Sequence, residues 1–149
     1  MILIDANLLL YAANRAAPEH PRARVWLDER LNGVARVALP WPPLLAFVRL
    51  ASNPVVVRHA VTPGEAWRQV EEWLACEPVW IPQPGPQHTE ILGAFLKHSW
   101  MTSRLVPDAH LAALAIEHGL TLCSTDGDFA RFPGLKWNNP MAADRERLL

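Results

Sequence analysis

Short apolar runs alternate along this chain with longer stretches in which apolar residues recur every three or four positions. Ile2-Leu3-Ile4 is wholly apolar, the pattern of a strand covered on both faces in a parallel sheet. A helix is predicted over residues 8–13. A second is predicted over residues 20–31, with Val25, Trp26 and Leu27 turned inward and Asn32-Gly33 as its stop. Residues 34–39 suit a strand. Pro40, Pro42 and Pro43 then open a helix carrying Leu44, Phe47, Val48 and Leu50, because proline is tolerated in a first turn but not in an interior. This helix is expected to stop near Asn53-Pro54.

The second half repeats the alternation. Thr62-Pro63-Gly64-Glu65 reads as a capping box with proline at the first helical position, and Ala66, Trp67, Val70, Trp73 and Leu74 follow at helical spacing. Residues 79–81 read as a strand, 82–86 as a loop, and 87–100 as a helix. Residues 107–118 form the clearest helix, with Leu111, Leu114 and Ala115 on one face and Gly119 as the stop. Residues 121–123 and 135–137 read as strands, with Asp126-Gly127-Asp128 as a turn. Alternating strands and helices predict an α/β/α sandwich with a central parallel sheet flanked by helices. One domain over residues 1–138 with a tail over 139–149 accounts for the pattern.

Composition narrows the function. The 149 residues are 50% hydrophobic and 19% charged, which excludes a disordered chain. Fourteen Lys and Arg face fifteen Asp and Glu, a formal charge of −1. The basic excess of a dedicated duplex binder is missing, so any nucleic-acid chemistry must rest on a local basic surface or a bound metal. Cys76 and Cys123 lie in apolar surroundings and read as free thiols. The opening apolar run is broken by Asp5 and has no basic segment before it. It reads as neither a signal peptide nor a membrane span, which predicts a cytoplasmic protein.

The candidate chemistry lies in where aspartate falls. Asp5 directly follows the first strand, Asp126 and Asp128 follow the strand at 121–123, and Asp108 stands in the first turn of the helix before it. Each has a structural reading too. Asp5 can cap a helix, Asp108 can complement a helix N-terminus, and Asp126-Gly127-Asp128 is common turn chemistry. Ligands of open parallel sheets bind beyond the carboxyl ends of the strands. If the first and the 121–123 strands are neighbours, Asp5 and Asp126 meet there. Asp108 joins them only if the loop before its helix reaches the same edge. Three or more carboxylates at one edge repel one another and call for a cation. An all-oxygen ligand set selects hard Mg²⁺ or Mn²⁺, which can activate water against a phosphodiester.

Two segments, Ile4-Asp5-Ala6-Asn7-Leu8-Leu9-Leu10-Tyr11 and the block from Asp108 through Ser124-Thr125-Asp126-Gly127-Asp128-Phe129, resemble a PIN-domain ribonuclease of the VapC toxin type. The continuation Arg131-Phe132-Pro133-Gly134-Leu135-Lys136-Trp137 is similar to an actinobacterial branch of these toxins. The resemblance spans about residues 1–138. It implies an RNA substrate, a Mg²⁺ or Mn²⁺ cofactor, a homodimer and a cognate VapB-type antitoxin. It also implies that Asp5, Asp108 and Asp126 hold the metal with Asp128 assisting, and that Asn7, Ser124 and Thr125 orient the carboxylates.

One position departs from the family pattern. Leu44-Leu45-Ala46-Phe47 places Ala46 where the family usually carries a metal-binding Glu. Glu117 does not replace it. It lies nine residues after Asp108, out of phase on a helix of about 3.6 residues per turn, and is expected to face away. The alternative reading is a PIN-like module with weakened catalysis that still binds antitoxin or RNA. A phosphoacceptor domain is a further reading, but neither Lys97 nor Lys136 sits at the strand end it requires. Arg49, Arg58, His59 and Arg104 are candidates for RNA phosphate contacts, with solvated surface charge as the alternative. His110 is assigned to a helix surface. The seven tryptophans are read as packing rather than base-stacking residues.

Overall fold

A computed structural model describes residues 1–142 of the chain. It contains five parallel strands, β1 (Ile2–Ile4), β2 (Val37–Ala38), β3 (Val79–Trp80), β4 (Thr121–Cys123) and β5 (Lys136–Asn138), in the spatial order β3-β2-β1-β4-β5. Six α-helices join or flank them: α1 (Ala6–Ala13), α2 (His20–Leu31), α3 (Trp41–Ala51), α4 (Pro63–Leu74), α5 (His88–Leu96) and α6 (Val106–His118). Short 3-10 turns at Ser103–Leu105 and Gly127–Arg131 precede α6 and follow β4.

Strand alternation divides the core in two. Ile4, Val37, Leu39 and Cys123 face a cluster with Leu8, Leu9, Leu27, Leu44, Phe47, Val70 and Trp73 from α1 to α4. Leu3, Ala38 and Leu122 face the other way, onto Phe95, Ala109, Ala112, Leu114 and Phe129. The result is the predicted three-layer sandwich. Phe47 and Trp73, with ring centroids 4.7 Å apart, lock α3 to α4. Both cysteines are free, and burial pushes the Cys123 thiol up to about 11.

Local signals mark several boundaries. Thr62 accepts from the Glu65 amide at 3.2 Å and donates to the Glu65 carboxylate at 3.0 Å, starting α4. Gly119 ends α6 in the left-handed conformation, φ 68°, which glycine adopts without steric cost.

Other expectations are corrected. Val25 is exposed rather than inward, because the buried residues of α2 are Ala23, Leu27 and Leu31. At about 100° per residue, Val25 projects nearly opposite them. The strand expected over 34–39 shrinks to Val37–Ala38, since its partner β1 begins at Ile2, paired with Val37. Residues 34–36 are exposed. The helix expected to reach residue 100 ends at Leu96. Beyond it Trp100 turns back edge-on to Phe132, 5.2 Å away. Met141, placed by the sequence in the tail, is buried against the first core cluster. The rest of that tail, residues 143–149, lies outside the described residues.

The strand order determines where a site can form. From β1 the chain moves outward through β2 to β3, then returns to lay β4 on the other side of β1. The strand order therefore reverses between β1 and β4, the point at which open parallel sheets leave a crevice at their carboxyl ends.

Candidate active site

Ile4 pairs with Cys123, and the Asp5 amide donates to the Cys123 carbonyl at 3.0 Å. The segments leaving β1 and β4 therefore emerge side by side. Asp5 caps α1, its Oδ1 accepting from the Ala6 amide at 2.8 Å. The capping reading of Asp5 therefore holds. Its other oxygen accepts the Ser124 hydroxyl at 2.8 Å.

Ser124 is fully buried and joins the segments. Besides donating to Asp5, its hydroxyl oxygen accepts from the Asn7 amide group and from the Asp126 backbone N–H, each at 3.0 Å. The Thr125 amide donates to Asn7 at 3.4 Å, and the Trp137 indole N–H donates to the Ser124 carbonyl at 3.1 Å. Asp126 in turn caps the 3-10 turn, accepting from the Asp128 amide at 2.9 Å.

Asp108, in the first turn of α6, comes to the same edge. Asp108, Asp126 and Asp128 each offer a carboxylate oxygen, all within 4.8 Å of one another. Asp5 stands close enough to contribute to their mutual repulsion. Burial first, then the charges of Asp126, Asp5 and Asp128, push the Asp108 carboxyl up to about 6. Burial likewise raises Asp5, against the opposing Ser124 hydrogen bond. Asp128 lies below the usual carboxylate range because Arg104 donates to it at 2.6 Å.

Clustered carboxylates that resist joint ionisation, with oxygen as the shared donor type, fit a hard divalent cation. The three mutually close ligand atoms come from Asp108, Asp126 and Asp128, while both Asp5 oxygens hold protein hydrogen bonds. Ala46, half-buried on α3, offers no ligand atom.

The remaining candidates are dispersed. Arg49, Arg58 and His59 are exposed on α3 and the segment after it. His110, half-buried on α6, also has a partner. Its ring meets His88 edge-on and shares a 3.1 Å hydrogen bond with it between α5 and α6. Burial, then His88, lowers the His110 pKa. Glu117 faces away from the carboxylates as expected, accepting from the Gly85 and Gln87 amides at 2.7 and 2.8 Å. Trp41 and Trp67 stack on each other, 6.3 Å between centroids, at the surface of α3 and α4. Sequence reasoning passed over Arg131, whose Nε lies 3.9 Å from the Asp128 carboxylate. Its spacing of three from Asp128 was the available signal.

Among the described residues no helix is long and apolar enough to cross a membrane. The family model for the PIN domain matches residues 2–135. Ribonuclease VapC37 of Mycobacterium tuberculosis is 42% identical over 142 residues, spanning 95% of this chain and 99% of the relative. Ribonuclease VapC33 of the same organism is 38% identical over 141 residues, with the same coverage. Among solved structures, VapBC2 from Rickettsia felis bound to a promoter DNA fragment aligns with a TM-score of 0.64 and 19% identity, over 93% of this chain and 98% of that one. VapC20 of M. tuberculosis, a sarcin–ricin loop cleaving toxin, aligns with a TM-score of 0.64 and 18% identity, over 91% and 99%. The two structures share the fold, and the two sequence relatives share about twice as large a fraction of identical residues. The chain belongs to the PIN-domain family, among its VapC ribonucleases.

Proposed function

We propose that this VapC-type endoribonuclease toxin hydrolyses RNA phosphodiesters with Mg²⁺ or Mn²⁺ held by Asp108 and Asp126, with Asp5 and Asp128 completing the site. The observation that carries the reading is the convergence of Asp108, Asp126 and Asp128 within 4.8 Å beside the capped Asp5. A bound divalent ion supplies a lowered pKa for water and neutralises charge developing on phosphate oxygens. Ser124 holds Asp5 and the Asp126 backbone in register, and Asn7 and Thr125 tie the two segments together. Such supporting hydrogen bonds keep carboxylates aimed at one point. Arg104 and exposed Arg49 are the proposed contacts to RNA phosphates. A cytoplasmic setting, a homodimer and a VapB-type antitoxin as partner complete the proposal. Of these, the antitoxin is supported by aligned structures that include a VapBC complex.

The test is cleavage of structured and single-stranded RNA by the purified chain. Activity is expected with Mg²⁺ or Mn²⁺ and is expected to vanish in EDTA. Cleavage that persists at full rate in EDTA overturns the metal assignment. The same reading makes a carboxylate at position 46 dispensable. Ala46→Glu is expected to leave the rate within about tenfold, ~1.4 kcal/mol of barrier. A much larger gain would mean that the aspartates alone form an incomplete site.

A further inference from the structure

We infer that Arg104 is a built-in counter-ion of the carboxylate cluster, competing with the divalent cation for Asp128 and so setting how tightly the site holds metal. The inference rests on the proposed reading of the cluster as a metal site, and concerns its regulation.

Asp128 belongs to both arrangements. One of its oxygens lies within 4.8 Å of ligand atoms from Asp108 and Asp126, while its Oδ2 accepts from Arg104 at 2.6 Å. Arg131 lies near the opposite oxygen, Oδ1, at 3.9 Å, too far for a hydrogen bond. The carboxylate is thus bracketed by two guanidinium groups, Arg104 through a hydrogen bond and Arg131 through charge alone.

The position of Arg104 is set by the fold. It lies in the Ser103–Leu105 turn, which runs directly into α6 and therefore into Asp108. Leu105, fully buried, anchors that turn. The side chain beyond the anchor is 66% exposed, so the guanidinium can leave Asp128 without opening the core. Asp126 and Asp108 also act on it by charge.

A cation entering among these carboxylates meets a positive charge already placed on one of them. The two draw on the same carboxylate and repel each other, so each weakens the other's hold. An exposed ion pair is a weak competitor. It lowers metal affinity without abolishing it, and it offsets carboxylate repulsion when metal is scarce.

The test is Mn²⁺ binding to the intact chain without RNA, by calorimetry or electron paramagnetic resonance. Arg104→Ala is expected to bind Mn²⁺ about fivefold more tightly than wild type, the scale of one exposed ion pair. Arg104→Gln keeps a hydrogen-bond donor but no charge, and is expected to show the same gain. Arg104→Lys is expected to remain within about twofold of wild type, because a point charge persists. Raised salt shrinks the difference. Wild type that binds Mn²⁺ while the Ala and Gln variants bind equally or more weakly overturns the inference and leaves the metal reading intact. Failure of wild type and variants alike to bind Mn²⁺ overturns both. Binding by the variants alone supports the inference in its strongest form.

Discussion

Asp126→Asn is expected to lower RNA cleavage by about a thousandfold while leaving the fold in place. The substitution keeps a side-chain oxygen where Asp126 accepts from the Asp128 amide at 2.9 Å, so the turn after β4 retains its cap. It removes one negative charge from the group formed with Asp108 and Asp128. Loss of several kcal/mol of transition-state charge stabilisation corresponds to roughly that factor. Single-turnover cleavage at saturating RNA measures it, with circular dichroism and a melting curve as the control. A variant that melts like wild type and cleaves at the wild-type rate would remove Asp126 from the proposed site. The charge removed is also one that attracts the cation directly, so weaker Mn²⁺ binding is expected alongside the lost rate.

Ser124→Ala carries the second large expected effect, and it falls on both stability and activity. The hydroxyl donates to Asp5 and accepts from the Asn7 side chain and the Asp126 amide, at full burial. Alanine fills the space but leaves three polar groups without this partner. Unsatisfied buried groups cost about 1–3 kcal/mol each, and partial rearrangement sets the expected loss near ~2–3 kcal/mol. Urea denaturation would measure it. Cleavage is expected to fall a further ~10–100-fold at temperatures where the variant remains folded, as for other groups that orient metal ligands. Added Mn²⁺ is expected to recover part of the rate, because occupancy is weakened and the carboxylates remain. A variant with wild-type stability would show that the Asp5–Ser124 hydrogen bond does not hold the β1 and β4 ends together. A destabilised variant with full activity would separate the fold from the site.

Part of this organisation is legible residue by residue. Thr62, Pro63 and Glu65 announce α4, and Gly119 announces the end of α6, because caps and stops are satisfied by neighbours in sequence. Ile2-Leu3-Ile4 announces a doubly covered strand for a similar reason, since its composition excludes an exposed face. Asp5 is legible as a cap, because the Ala6 amide it accepts from is its neighbour in sequence, whereas its bond with Ser124 depends on the fold. Three adjacent apolar residues, Val25-Trp26-Leu27, do not by themselves reveal which of them faces inward. The face was decided by Ala23, Leu27 and Leu31 meeting the rest of the core. The contact of His110 is not legible in sequence, because its partner, His88, comes from another helix.

The sequence by itself determined the order of strands and helices, the family resemblance, and the identity of the acidic residues that follow β1 and β4. These depend on local period, capping and composition. Tertiary structure alone decided that β4 lies beside β1, which brings Ser124 to Asp5 across 119 positions of chain and to Asn7 across 117. It also decided that Arg104 reaches Asp128, and that Asp108, Asp126 and Asp128 are mutually close. The physical reason is that strand pairing and carboxylate repulsion act through space. A chain with fifteen acidic and fourteen basic residues is nearly neutral in sum, yet the sheet concentrates four aspartates at one edge and sets an arginine against them.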